Sequence, residues 1–168
     1  MDIVYVDKDD NEVGSGSISN AYDNGITVRI ARVFITNNKG ELLIQKRSDI
    51  HHSLPGRWDQ SAAGHVDNGE TYEAAAYREL KEEMGIDDVK LHAVKKVYTE
   101  ETDEKMFTKK RFNTIFAGTF NGKLKIDNKE VSDYQWVLPD DLTKRMADQP
   151  NDFTEGFIKV FETCKPTL

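Results

Sequence analysis

The sequence predicts an α+β fold with an opening β-hairpin, on three observations. Short runs of β-branched and aromatic residues lie on both sides of one long helical stretch at 64–86. Amphipathic helical patterns follow the last strand and close the chain. Strands and helices do not alternate regularly, which separates this arrangement from a doubly wound sheet. At 168 residues the chain suits one well-cored domain spanning 1–168, and it shows no internal repeat or low-complexity tract.

In chain order, Ile3 to Val6, the turn Lys8 to Asn11 and the run Glu12 to Ser17 form the opening hairpin. Ser15 to Gly25 is small and polar and reads as a connection, so residues 1–25 are hairpin plus connection. Ile26 to Ile35 is a strand, the turn over 36–40 follows, and Glu41 to Gln45 pairs back as a second hairpin. Arg47 to Arg57, with His51, His52, Pro55 and Gly56, is a loop, and Trp58 to Ala63 leads into the helix.

Beyond the helix, Val89 to Thr99 is a strand with a helix-like start, and Glu100 to Lys105 an acidic loop. Met106 to Phe120 is long, aromatic and largely alternating; the turn at Asn121, Gly122 and Lys123 predicts a third hairpin with Leu124 to Ile126. Val131 to Val137 is the last strand. Pro139 opens a short helix, and Asp152 to Cys164 is an amphipathic closing helix.

The central helix carries the chemistry. Thr71 is placed to cap its front and Gly85 to stop it, while Ala76, Tyr77, Leu80 and Met84 form the face that packs on a core. Glu79, Glu82 and Glu83 stand at i, i+3 and i+4, so their carboxylates share one side. Like charges so spaced repel, and a hard divalent cation such as Mg²⁺ or Mn²⁺ is the compensation that oxygen donors favour. A solvated charged face is the alternative.

Net charge is −7, which leaves no basic surplus for a nucleic-acid polymer. A small phosphorylated molecule remains compatible, because a bound metal neutralises it locally. Cys164 is the only cysteine, so no internal disulfide forms. The start of the chain is acidic, and no stretch approaches the roughly 18 apolar residues of a membrane span. A soluble cytoplasmic protein, monomer or homodimer, without a membrane partner is expected.

From Gly64 to Ile86 the sequence reads G, five residues, E, seven residues, R-E, a bulky aliphatic, any residue, E-E, any residue, G, a bulky aliphatic. Gly64, Glu70, Arg78, Glu79, Leu80, Glu82, Glu83, Gly85 and Ile86 occupy the fixed positions, and the chain on these residues resembles the Nudix (MutT-like) hydrolases. The resemblance covers about 26–165 and implies the Nudix fold, a mixed sheet sandwiched between helices. It implies cleavage of a diphosphate bond in a small-molecule substrate, usually with Mg²⁺. By resemblance Glu82 and Glu83 are metal ligands and Glu79, oriented by Arg78, is ligand or base. The Ala63 backbone carbonyl adds an oxygen, and Glu70 braces the loop. Glu130, six residues before Trp136, is placed as in MutT-like members to reach the metal site from a distant loop.

A second resemblance is to the isopentenyl diphosphate isomerase branch, in the segments at 54–65 and 130–136. This chain has Ala63 where that branch has its catalytic cysteine, and Lys109 and Arg111 where it has an E-x-E pair. Two earlier metal histidines fall on about Ala21 and Val28, and only His65 survives. The groups needed for isomerase proton transfer are thus absent. Lys109 and Arg111, two apart on a strand, face one way and either hold a phosphate or keep a strand edge soluble. Arg47 and Arg57 are further phosphate candidates.

His51 and His52, being adjacent, are expected to point apart, and His65 either caps backbone groups or ligates. Trp58, Phe107 and Phe112 belong to the core or stack on a substrate. A metal-dependent diphosphohydrolase is the leading function. An allylic-diphosphate isomerase and a non-catalytic metabolite sensor are the rivals.

Overall fold

A computed structural model describes residues 1–102 and 107–168. The opening hairpin forms as expected, with β1 (Ile3–Val6) antiparallel to β2 (Glu12–Gly16). The connection after it is not irregular throughout. It holds α1 (Ile18–Asp23), capped by the Ser17 hydroxyl on the Asn20 N–H, with Ala21 fully buried. Polar composition hid this single turn-and-a-half, because only one of its side chains is core.

β3 (Thr27–Thr36) is the spine of the sheet. It pairs in parallel with β8 (Thr108–Thr119) over nine residue pairs from Val28↔Arg111 to Thr36↔Thr119. Its other edge is shared, in turn, by β1, by β6 (Ala62–His65) and by β4 (Leu42–Arg47). The second hairpin therefore pairs only at its base, Thr36↔Leu42, and then splits. β4 swings away to pair with β9 (Val131–Val137) and with β5 (Trp58–Asp59). β6 fills the gap that opens, which brings the loop before the central helix into the middle of the sheet.

The third hairpin is corrected. β8 turns back on β7 (His92–Thr102), and residues 124–126 form no strand. Leu124 and Ile126 pack against the core instead, while the N–H groups of Lys125 and Asp127 donate to Met84 O (3.0 Å) and Glu83 O (3.1 Å). The segment closes the carbonyl end of the central helix, α2 (Tyr72–Met84), which a hairpin would have left open. Glu100 to Thr102 extend β7; the rest of the expected acidic loop, and Met106, lie outside the described residues.

Helices cover both faces of this mixed sheet, as the α+β expectation requires. Alternation along β3 sends Ala31, Val33 and Ile35 to α2, where Ala75, Ala76, Leu80 and Met84 are buried against them. Phe34 faces the other way, onto α4 (Glu155–Cys164) and α3 (Pro139–Asp148), with Phe157 and Phe161 opposite it. Each fully buried Leu or Phe here stabilises the fold by about 1.5–3 kcal/mol relative to exposure. Thr71 caps α2 through its hydroxyl on Ala74 N–H, and Gly85 ends it at φ 68°. A Cβ at Gly85 would also meet Lys125 O at 2.6 Å, so the glycine serves both the turn and the strap. None of the described helices is long and apolar enough to cross a membrane.

Candidate active site

The three acids of α2 border one cleft of about 710 Å³. Glu79 lies against β6: a Cβ at Gly64 would overlap its carboxyl, so the bare glycine makes its place. Arg78 lies among the acids. Its Nε and Nη2 donate to the two Glu70 oxygens at 2.9 Å each, its Nη1 to Glu79 Oε1 at 2.5 Å, and its Nη2 also to the His65 carbonyl at 3.0 Å. Glu70 in turn accepts the Asp67 N–H at 3.1 Å, which braces the turn before the helix. Glu82 is the exposed member, with 62% of its side chain in solvent and Arg78 at 3.5 Å. The Glu83 carboxylate accepts from Gln45 Nε2 at 2.5 Å, and Gln45 also donates to Ser61 O.

Burial pushes the Glu79 carboxyl up to about 7 against the opposing pull of Arg78, and Glu82 and Asp67 add to the rise. Burial pushes Glu83 well above the carboxylate range too, and the Glu79 charge is the next cause. Two desolvated carboxylates on neighbouring turns are thus held at a cost that a cation between them would relieve. Among the described residues no three His, Cys, Asp or Glu side chains stand as a preassembled metal group, since Arg78 supplies the counter-charge. The donor chemistry nevertheless fits a hard divalent ion: carboxylate oxygens, two of them electrostatically frustrated, beside the Ala63 backbone on the cleft wall.

Across the cleft the walls are basic. Lys109 and Arg111 do share a face of β8, and both cations sit over the Tyr22 ring, at 5.6 and 5.3 Å from its centroid. Arg111 also donates to the Tyr22 hydroxyl at 3.1 Å and pairs with Glu101 at 3.3 Å. The Tyr22 hydroxyl meets His65 Nε2 at 2.6 Å. Burial, then the nearby Arg111, push His65 down to about 3, so it stays neutral. Arg47 lines the cleft while bound to Asp59 at 2.6 Å. Arg57 is not brought there. Its Nη1 donates to Phe153 O at 3.4 Å on the far side of β5.

Glu130 reaches the cleft from the loop before β9, with His51 Nε2 at 3.3 Å. The two adjacent histidines do not point apart as expected. Their rings stack at 4.5 Å and 23°, because the loop coils on itself and His51 Nδ1 engages Ser53. Trp58 packs in the α3/α4 core beneath Arg145 and Phe112 beside the α2 core, and neither they nor Phe107 line the cleft.

Sequence reasoning missed three residues of this site. Gln45, Tyr22 and Arg32 are uncharged or isolated in sequence and sit in ordinary strand or linker contexts. Alternation along β3 was the one available clue, since Arg32 falls on an inward-facing position.

The family described as NUDIX domain matches residues 27–157. A Photorhabdus laumondii protein named isopentenyl-diphosphate Delta-isomerase 2 is 35% identical over 94% of this chain and 89% of its own length. An uncharacterized Nudix hydrolase of Pseudomonas aeruginosa is 29% identical over 82% of this chain and 79% of its own. A crystal structure of a Deinococcus radiodurans protein superposes with a TM-score of 0.82 at 23% identity, covering 98% of this chain and 99% of that one.

Proposed function

This chain belongs to the Nudix family, and from that premise we propose that it is a Mg²⁺- or Mn²⁺-dependent hydrolase of a diphosphate linkage in a small molecule. The observation that carries the reading is the part-buried Glu79 and Glu83 pair, both carboxyls raised by desolvation, facing a cleft whose opposite wall is cationic. A bound divalent ion would neutralise phosphoryl oxygens and acidify water.

The residues of the chain do the rest. Glu79, Glu82, Glu83 and the Ala63 carbonyl would hold the ion. Lys109, Arg111 and Arg47 orient the phosphates from across the cleft. The attacking water forms a new P–O bond as the bridging P–O bond breaks, and its proton passes to a carboxylate. Glu79, whose direction Arg78 fixes through Nη1 on Oε1 at 2.5 Å, is one candidate to accept it. Glu130, exposed to half its extent and beside His51, is the second candidate base.

The isomerase named among the relatives supports a second reading, transfer of protons on isopentenyl diphosphate. Against it, Ala63 offers only a methyl group at the place of the cysteine, and the cationic Lys109 and Arg111 cannot bind a metal there. Two measurements separate the readings. Release of phosphate or diphosphate is screened across nucleotides, nucleotide sugars and prenyl diphosphates with Mg²⁺ and Mn²⁺. Deuterium uptake into isopentenyl diphosphate is followed in deuterated water. Phosphate release without label uptake supports the hydrolase, and label uptake without release overturns it.

A further inference from the structure

The cationic wall of the cleft leans on a residue that precedes the stretch matching the family, which begins at residue 27. Lys109 and Arg111 stand two apart on β8, about 6.6 Å along the strand, so their charges leave one face together and repel. Both side chains are long, and a substrate that used them would have to remove their rotamer freedom. Glu101 pairs with Arg111 at 3.3 Å, and Lys109 joins no ion pair among the described residues. What the two cations share is Tyr22. Its ring centroid is 5.6 Å from Lys109 Nζ and 5.3 Å from the Arg111 guanidinium carbon. Its hydroxyl accepts from Arg111 Nε at 3.1 Å and meets His65 Nε2 at 2.6 Å. The ring attracts both cations, and the hydroxyl fixes the orientation of the guanidinium.

Tyr22 can serve as a rigid mount because α1 is tied down at both ends. The Tyr5 hydroxyl donates to Ser17 O at 2.7 Å and accepts from Asn20 Nδ2 at 3.1 Å, and the Ile26 N–H closes on Ala21 O at 2.8 Å. Ala21 is fully buried, and Tyr22 packs against the cluster of Ile3, Val28 and Ile30. Short as it is, the helix therefore presents its tyrosine to β8 at a fixed place on the cleft wall.

We propose that Tyr22 is a positioning residue for the substrate's phosphates, holding the Lys109 and Arg111 side chains at the cleft through its ring and its hydroxyl. This rests on the reading given above, in which those two cations orient the phosphates. Tyr22 acts through them and touches no reacting atom. Ordering the two side chains before the substrate arrives lowers the cost of binding it. A tyrosine that only packed α1 onto the sheet would contribute stability and leave phosphate binding alone.

Methylenediphosphonate with Mg²⁺ is titrated calorimetrically into wild type, Tyr22→Phe, Tyr22→Leu, Arg111→Gln and the double variant Tyr22→Phe/Arg111→Gln, each checked by circular dichroism. Tyr22→Leu loses ring and hydroxyl and should bind about 10-fold more weakly or worse. Tyr22→Phe keeps the ring and should lose about 3-fold. In the Arg111→Gln background Tyr22→Phe should have no further effect, because the hydroxyl acts through that guanidinium. With any substrate found in the phosphate-release screen, the two Tyr22 variants should raise KM by those factors and lower kcat by less. Unchanged affinity in a folded Tyr22→Leu overturns the proposal. So do additive effects of Tyr22→Phe and Arg111→Gln, a loss confined to kcat, or a wild type that does not bind methylenediphosphonate. If Tyr22→Leu or Arg111→Gln does not fold, Tyr22→Phe decides: weakened binding supports the proposal and unchanged binding overturns it. Should binding follow these expectations while no substrate is cleaved, the positioning role stands and the hydrolase reading is what fails.

Discussion

Lowering the pH should relieve the penalty that Glu79 places on the metal-free protein, and divalent cation should reverse that contribution. Glu79 titrates at about 7 in the folded protein against 4.5 for the free side chain. Folding therefore favours its protonated form, and the penalty on the charged form is fully present above about pH 7 and gone below about pH 4.5. The gap of 7 − 4.5 = 2.5 units corresponds to about 3 kcal/mol at about 1.36 kcal/mol per unit. Only 15% of the side chain is exposed, so solvent screening removes little of this. His65, held neutral by burial, works in the opposite direction over the same range, so the Glu79 share is the difference between wild type and Glu79→Gln: about 2.5 kcal/mol of the penalty is lifted between about pH 8 and pH 5, and at about 2–4 °C per kcal/mol wild type should gain about 5–10 °C relative to the variant without metal.

Glu83, shifted the same way as Glu79, opposes the His65 trend in both proteins. Mg²⁺ binds the deprotonated carboxylates, so at about 100 times its dissociation constant it should add about 2.7 kcal/mol at pH 8 and much less at pH 5. The assay is calorimetric melting of wild type and Glu79→Gln at both pH values, with and without Mg²⁺. The variant isolates the Glu79 contribution from the other acids. The reasoning fails if wild type and Glu79→Gln share one pH profile, or if Mg²⁺ raises the melting point equally at both ends.

Three further outcomes follow from the same geometry. Glu82→Gln and Glu83→Gln should each lose at least about 10²-fold in rate with circular dichroism unchanged, because a charge aimed at the reaction centre is removed. Gly64→Ala should lower both melting temperature and Mg²⁺ affinity, since its Cβ would occupy the Glu79 carboxyl; overpacking of this kind costs about 1–3 kcal/mol, and titration of Mg²⁺ reads the displacement. Leu80→Ala, fully buried under β3, should cost about 2–5 kcal/mol in urea unfolding while a folded fraction keeps its KM.

The opening hairpin, the central helix with its caps, the final strand and the closing helices could be read directly. Each is specified by neighbours a few residues apart, through alternation, a capping hydroxyl or a glycine at positive φ. The Nudix spacing belongs to the same local class, so the acids of the cleft were legible from one stretch. The failures fall where a segment's fate depends on something distant. Leu124 to Ile126 has the pattern of a strand, yet its backbone is taken by the open carbonyls of α2. The β3/β4 hairpin reads as continuous, yet β6 arrives from later in the chain and wedges it open.

Sequence alone thus determined which residues would carry the negative charge and on what helix, because their spacing is the spacing of that helix. Tertiary structure decided what faces them. Gln45 reaches Glu83 across 38 positions, Tyr22 meets His65 across 43, and Arg32 meets Asn113 across 81. Those meetings depend on how the sheet and its helices assemble; for Arg32 and Asn113 the parallel β3/β8 register decides it, and a slip of one residue would turn a strand's side chains to the opposite face.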